Sequence, residues 1–92
     1  MTDIRINTDE VRNVGSQFNT KAGELDGLIN QAKRMIDNLA ATWTGMRKTS
    51  TFNEWERVYQ GLKVAVENVQ VTSRILNQAA TDFDNADRAG KV

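Results

Sequence analysis

The hydrophobic residues of the first half of the chain recur at the spacing of an α-helix. Counted as heptads from Val11, positions a and d are apolar in eight of ten cases, and position e adds a third apolar line. A stripe this wide exceeds the need of a two-stranded coiled coil, so burial on more than one side is expected. Asn7 or Thr8 can cap this helix, which is predicted over about residues 8–43. Positions a and d are Val11, Val14, Phe18, Lys21, Leu25, Leu28, Ala32, Met35, Leu39 and Thr42, and position e holds Ala22, Ile29, Ile36 and Trp43.

A second apolar repeat begins at Phe52 and predicts a second helix over about residues 51–88. It opens with Thr51-Phe52-Asn53-Glu54, a capping-box pattern in which the threonine and glutamate side chains satisfy backbone N–H groups. Position g again widens the stripe to three positions. Positions a and d are Phe52, Trp55, Tyr59, Leu62, Val66, Val69, Ser73, Leu76, Ala80 and Phe83, and position g holds Val58, Ala65, Ala79 and Ala86.

Residues 44–50 are predicted to form the turn between the two helices. Gly45 is placed to take the left-handed conformation that ends the first helix. Because the connection is short, the helices are expected to fold back on each other as an antiparallel hairpin. Four glycines within the predicted helices oppose this pattern, each by about 1 kcal/mol relative to alanine, and the sequence does not explain them. They are Gly15, Gly23, Gly27 and Gly61.

The hairpin predicts a register in which a positions of one helix face d positions of the other. This register pairs Val11 with Phe83, and it sets the polar exceptions Lys21 and Ser73 opposite each other, as a register-fixing polar layer would be. The residues predicted to form the hairpin or dimer core are Phe18, Leu25, Leu28, Ile29, Ile36, Leu39, Trp55, Tyr59, Leu62, Val66, Val69 and Leu76.

A hairpin of this length has one helix–helix seam and cannot bury both wide stripes. At about 1.5 Å per residue it forms a rod of about 50 Å with a long apolar face, which predicts a partner. The predicted fold is therefore an all-α antiparallel helical hairpin that dimerises into a four-helix bundle with itself or with a paralogue. A weaker apolar line at Val64, Val71 and Ile75 fits either scattered surface side chains or a third contact surface.

The composition narrows the function. The 92 residues include no proline, which disfavours a turn-rich β fold, and no cysteine or histidine, which removes the usual thiol, zinc and imidazole chemistry. With no acid–base pair or phosphate loop to recognise, the chain is predicted to be no enzyme and to use no cofactor or metal. Zero net charge argues against nucleic acid as a partner. The first ten residues resemble no secretory signal peptide, so composition alone predicts a soluble intracellular protein.

Two short motifs, one at each end of the predicted hairpin, carry a family resemblance. Trp43-Thr44-Gly45 lies at the reversal, and Phe83-Asp84-Asn85-Ala86-Asp87 places an acid four residues after an aromatic. With the length and the hairpin, they make the whole chain resemble the small Trp-X-Gly (WXG) or Esx proteins exported by type VII secretion systems. Two features depart from that pattern: phenylalanine replaces the tyrosine of Tyr-x-x-x-Asp/Glu, and the turn is longer and more basic than usual.

The resemblance implies a non-enzymatic protein that is secreted without a cleavable signal peptide and is cytoplasmic before export. It implies two partners, namely a second WXG-type hairpin and the membrane-anchored secretion ATPase. In such a dimer each chain's turn lies beside its partner's tail. The implied export signal is therefore composite, with Trp43 and Gly45 in one half and Phe83 and Asp87 in the other. Trp43 and Phe83 also continue the apolar stripes, so packing alone is a competing explanation for both.

Three acidic residues, Asp82, Asp84 and Asp87, crowd the last turns of the second predicted helix. Negative charge is unfavourable there because the helix dipole places its negative end at the C-terminus. These acids are therefore expected to be recognised by something outside the chain, although a solvated, frayed helix end would also accommodate them.

Three alternative functions remain open. The phenylalanine in the tail motif favours a heterodimeric adaptor that docks on a larger effector toxin and lends it the export signal. An intracellular coiled-coil scaffold predicts the same fold without export. A membrane-active protein is disfavoured, because the polar faces lack the Lys/Arg enrichment typical of interfacial helices.

Overall fold

The computed structural model describes residues 6–90, and within that range it consists of two α-helices and no strand. Helix α1 spans Thr8–Thr42 and helix α2 spans Lys48–Arg88. They pack against each other as an antiparallel hairpin, a rod with extents of 70 × 18 × 18 Å. The predicted all-α hairpin is confirmed. The start of the segment in which no signal peptide was recognised, residues 1–5, lies outside the described residues, as do residues 91–92.

Helix α1 begins at one of the two residues predicted to cap it. The Asn7 side chain accepts a hydrogen bond from the Glu10 backbone N–H at 3.0 Å, and Asn7 itself has extended backbone angles. Asp9 and Glu10 lie in the first turn, where the helix dipole favours negative charge. Local sequence chemistry thus determines this helix end.

Helix α2 begins at Lys48, upstream of the predicted capping box. Its N-cap is Arg47, which has a left-handed backbone with φ of 70° and makes no side-chain capping bond. The Thr51 N–H already donates to the Arg47 carbonyl at 2.9 Å, so Thr51 lies inside the helix and the predicted capping box is wrong. Helix α1 also ends before Gly45, at the extended residue Trp43. The backbone at Gly45 and Arg47, both with positive φ, reverses the chain within fewer residues than the side-chain pattern indicated.

The seam between the helices is rotated relative to the predicted one. The buried residues lie at position e of α1 and position a of α2, whereas the prediction joined positions a and d. Small side chains lie along this line, so the two backbones approach closely there, and the larger a and d side chains of α1 are left at the edge of the seam. The buried residues are Gly15, Ala22, Ile29, Val66, Ser73 and Ala80, with Leu25, Tyr59, Leu62 and Val69 packed around their centre.

The predicted polar layer between Lys21 and Ser73 is wrong. Ser73 is buried and its hydroxyl donates to the Gly15 carbonyl at 2.6 Å, while Lys21 is exposed and pairs with Glu24 on its own helix at 3.2 Å. A Cβ at position 15 would lie 2.9 Å from the side-chain oxygen of Asn77 and 3.2 Å from the Ser73 carbonyl oxygen. The close approach of α2 therefore explains one of the four helix glycines.

One edge of the seam is polar and is joined by ion pairs. The Lys63 ammonium donates to Asp26 at 2.7 Å and to Asn30 at 2.9 Å, and the hydrogen bond to Asp26 raises the pKa of Lys63. Near the chain ends, Arg12 donates to the Asp84 carboxylate at 2.7 Å. That bond, opposed by partial desolvation, lowers the pKa of Asp84. These pairs link α1 to α2 at two well-separated levels of the rod.

Tyr59 lies between two lysines on the same polar edge. The Lys33 and Lys63 ammonium groups lie 5.8 and 5.5 Å from its ring centroid, within the range of cation–π attraction. Lys33 also donates to Asp37 at 2.7 Å, which raises the pKa of Lys33. The ring thus connects the polar edge to the apolar seam, where Tyr59 packs beside the buried cluster.

Candidate functional site

The edge of the seam opposite the ion pairs is apolar and open to solvent. Val14 and Phe18 of α1 line a groove with Val69 of α2, and Val14 lines a second groove with Leu76. By helical spacing the same edge continues along the rod through residues such as Leu28 and Met35, which are 63% and 71% exposed. We call this surface the open face, and it comprises Val14, Phe18, Leu28, Met35 and Leu39 of α1 with Leu62, Val69 and Leu76 of α2.

The residues predicted for the hairpin or dimer core divide into three groups by exposure. Two of them, Ile29 and Val66, are buried. Three of them, Phe18, Leu28 and Leu39, are exposed on the open face. The remaining residues are half-buried at the margins of the seam, and they are Leu25, Ile36, Trp55, Tyr59, Leu62, Val69 and Leu76. The hairpin alone therefore leaves a large part of the predicted core in contact with solvent.

The turn presents an aromatic pair and an exposed tip. Trp43 is half-buried and meets Phe52 edge to face, with ring centroids 5.3 Å apart and planes at 71°. Gly45 has φ of 122°, which side chains with a Cβ rarely adopt, and Met46 beside it is 90% exposed. The sequence pattern placed Phe52 in the second stripe but did not indicate that it packs on Trp43, because that contact depends on the early start of α2.

The tail of α2 carries the second predicted motif. Phe83 is half-buried and Asp87, one helical turn later on the same side of α2, is exposed. Asp82 is exposed as well and accepts a hydrogen bond from Gln78 at 2.9 Å. Asp84, in contrast, is held by Arg12 of the same chain. The expectation that all three acids await an outside partner is therefore wrong for Asp84.

Arg12 is the residue of this end that sequence reasoning missed. It stands outside the apolar heptad pattern, and the signal that could have revealed it was the unfavourable cluster of acids on the facing helix. The Arg12 side chain ties the start of α1 to the end of α2, which orients the last turns that carry Phe83 and Asp87.

The two predicted motifs occupy opposite ends of the rod. Trp43 and Gly45 lie at the reversal, whereas Phe83 and Asp87 lie where α2 ends, beside the start of α1. With a long axis of 70 Å, one hairpin does not bring these residues together into a single surface.

Two further kinds of site were examined over the described part of the chain. Residues 6–90 contain no group of three or more Asp, Glu, His or Cys side chains arranged to hold a metal ion. Neither described helix combines the length and the apolar character that a membrane span requires.

A two-helix hairpin with a W-x-G triplet at its reversal and an open apolar face defines the class of protein. The model of the family WXG100, described as proteins of 100 residues with WXG, matches residues 3–88, and the chain belongs to this family. The chain has no significant match among curated protein sequences.

Solved structures agree with this assignment. The secreted protein EsxB from Bacillus anthracis strain Sterne superposes with a TM-score of 0.78 at 25% identity, over 95% of this chain and 99% of that chain. The wild-type EsxB in another crystal form gives a TM-score of 0.81 at 25% identity, over 92% and 91%. EsxA from Geobacillus thermodenitrificans gives 0.76 at 20% identity, over 95% of each chain, a similarity that concerns the fold alone.

Proposed function

We propose that this chain is a non-enzymatic substrate, or co-secreted partner, of a type VII secretion system. The observation that carries the proposal is the family match over residues 3–88, in a chain whose W-x-G triplet lies at the reversal of the hairpin. Its structural neighbour EsxB is a secreted protein. In this proposal the chain is cytoplasmic before export and leaves the cell without a cleavable signal peptide.

The exported species in this proposal is a folded dimer that buries the open face. A monomer would leave side chains such as Phe18, Leu28 and Met35 in water, and large exposed apolar patches typically mark interaction sites. A face of a rod 70 Å long and 18 Å wide exceeds the roughly 800 Å² that each partner contributes to a standard interface. Two hairpins joined this way form a four-helix bundle.

The export signal in this proposal combines residues from both chains. Trp43 and Gly45 of one hairpin supply the turn half, and Phe83 and Asp87 supply the tail half. The membrane-anchored ATPase of the system would read an aromatic anchor beside an exposed carboxylate, a common form of helix-in-groove recognition. Phenylalanine at position 83 keeps most of the apolar area of the family's usual tyrosine and lacks only the hydroxyl.

A secretion assay with two matched acid variants tests the tail half of the signal. Asp87→Ala removes the proposed carboxylate, while Asp82→Ala removes an acid of the same helix end that lies outside the motif. Both residues are exposed, so both variants should fold, which circular dichroism checks. Extracellular protein should fall at least about tenfold for Asp87→Ala and stay near wild type for Asp82→Ala. Equal secretion of both variants and the wild type would contradict the proposed signal.

A second candidate function is a heterodimeric adaptor that targets a larger effector to the same system. Phe83 favours it, because a departure from the usual tyrosine is expected where the partner supplies part of the signal. Copurification of the tagged chain with products of adjacent genes separates the two functions. A stable complex with a larger protein supports the adaptor, whereas a dimer with no further partner supports the simple substrate.

A further inference from the structure

The two ends of the hairpin carry opposite charge. Residues 38–53, which include the turn, contain Arg47 and Lys48 and no acid, and the wider stretch 33–57 has five bases against three acids. At the other end, residues 75–87 contain three acids and no base. Taken together, residues 1–20 and 75–92 have six acids against four bases. The chain is thus neutral overall but polar along its length.

Contacts within the chain reduce this asymmetry only in part. At the tail end, Arg12 pairs with Asp84, while Asp82 and Asp87 remain exposed. At the turn, Arg47 is exposed at the N-cap of α2. Because the ends are separated by the 70 Å length of the rod, far beyond the Debye length of about 8 Å at physiological salt, one hairpin cannot neutralise itself.

A second hairpin on the open face can lie in either of two directions, and the charges distinguish them. With the turns side by side, Arg47 and Lys48 would face identical residues, and the acidic tails would face each other. With the turn of each chain beside the tail of the other, opposite charges meet at both ends. Like charges brought together at an interface cost several kcal/mol and suppress the wrong arrangement.

We infer that the occupant of the open face is a second copy of this chain, packed with its basic turn against the acidic tail of the first. The chain is complementary to itself in this arrangement, because a twofold axis generates the same favourable contact at both ends of the rod. The inference deepens the proposed function, since it rests on the open face being the dimer interface and names the partner that covers it.

A charge-swap experiment tests this inference. The turn variant carries Arg47→Glu and Lys48→Glu, and the tail variant carries Asp82→Lys and Asp87→Lys. Each variant alone would bring like charges together at both ends, so its dimer dissociation constant should rise about tenfold or more at low ionic strength. In an equimolar mixture, the acidic turn of one variant meets the basic tail of the other and the two remaining ends are unchanged. The mixture should therefore recover the wild-type affinity, measured by analytical ultracentrifugation.

Two controls separate this effect from a general change of charge. The variant Arg57→Glu with Arg74→Glu changes the net charge as much as the turn variant, but both residues are exposed in the middle part of α2, away from the two ends. It should dimerise like the wild type. At about 1 M salt, where the Debye length falls to about 3 Å, the differences between the variants should largely disappear. Circular dichroism confirms that each variant is helical.

Three outcomes would overturn the inference: a monomeric wild type, variants that dimerise as tightly as the wild type, or a mixture that fails to recover affinity. A wild-type chain that pairs only with the product of an adjacent gene overturns the second-copy inference and leaves the proposed export function intact. Rescue in the mixture supports the inference even where secretion of the wild type fails, so the two proposals fail separately.

Discussion

Gly15 shows how a single residue determines where the helices meet. Its missing side chain lets α2 approach until the Ser73 hydroxyl reaches the Gly15 carbonyl at 2.6 Å. A Cβ there would lie 3.2 Å from the Ser73 carbonyl oxygen, which belongs to the backbone and moves only with the helix. Gly27, in contrast, has no atom within 4 Å of where its Cβ would be. The two glycines therefore have opposite consequences for stability.

Replacement of each glycine by alanine separates close packing from helix propensity. Gly15→Ala should lower the free energy of unfolding by about 1–2 kcal/mol, because the strain of separating the helices exceeds the gain in propensity. Gly27→Ala, the matched control, should raise it by up to about 1 kcal/mol. Urea denaturation followed by circular dichroism measures both. Stabilisation of both variants to the same extent would show that α2 does not constrain position 15.

At the scale of the element, the two helices begin by different means. The side chain of Asn7 caps α1, whereas α2 follows a turn whose backbone adopts positive φ at Gly45 and Arg47. A residue such as arginine in the left-handed region costs roughly 1–2 kcal/mol, so the surrounding turn must hold Arg47 there. The first helix end follows from local side-chain chemistry, and the second follows from the path of the backbone.

A pair of threonine and asparagine variants tests this difference. Asn7→Ala removes a side-chain cap and should lower the free energy of unfolding by about 0.5–2 kcal/mol. Thr51→Ala should have no such cost, because Thr51 lies inside α2 and alanine has the higher helix propensity. Thermal unfolding followed by circular dichroism measures both effects. A loss at Thr51 as large as that at Asn7 would restore the capping box as the start of α2.

The heptad pattern predicted the elements better than it predicted their faces. Both helices, the hairpin and the Asn7 cap follow from the sequence, because apolar periodicity and capping chemistry are local. The seam does not, since a stripe three positions wide contains two possible contact lines. The choice between them depended on small residues such as Gly15, Ala22 and Ala80, whose importance appears only when two backbones meet.

At the scale of the whole molecule, the Arg12–Asp84 pair joins the two free ends of the hairpin. The hydrogen bond from Arg12 holds the pKa of Asp84 below its ordinary value of 3.8. A carboxyl group with a lowered pKa in the folded state stabilises the fold above its unfolded-state pKa. That stabilisation is lost as the pH falls through the folded-state value.

The variant Asp84→Asn should therefore reduce stability at neutral pH and change the acid limb of the stability curve. Its difference from the wild type should be full above pH 3.8 and should shrink as the pH falls below that value, because protonation of Asp84 weakens the pair in the wild type. Asp82→Asn, which leaves the ion pair intact, is the control. Urea denaturation across this range provides the measurement, and a difference that stays constant with pH would argue against the pair.

The candidate site was predictable in its positions but not in its surroundings. The W-x-G triplet and the aromatic–acid tail were found from spacing alone, and the hairpin places them at opposite ends. The packing of Phe52 on Trp43 and the capture of Asp84 by Arg12 were not foreseen, because both join residues across the seam. Such contacts depend on the rotation and register of the helices, which the apolar pattern left undetermined.

The hairpin is covalently closed at one end only, and this connectivity grades its cooperativity. Trp43 and Phe52 meet across a short loop, whereas Arg12 and Asp84 are 72 residues apart in the chain. Because the entropy lost on closing a loop grows with its length, contacts near the turn form most readily and those at the open end are the last to form. The hairpin therefore closes like a zipper from Trp43, and on unfolding it frays from the end that carries Phe83 and Asp87.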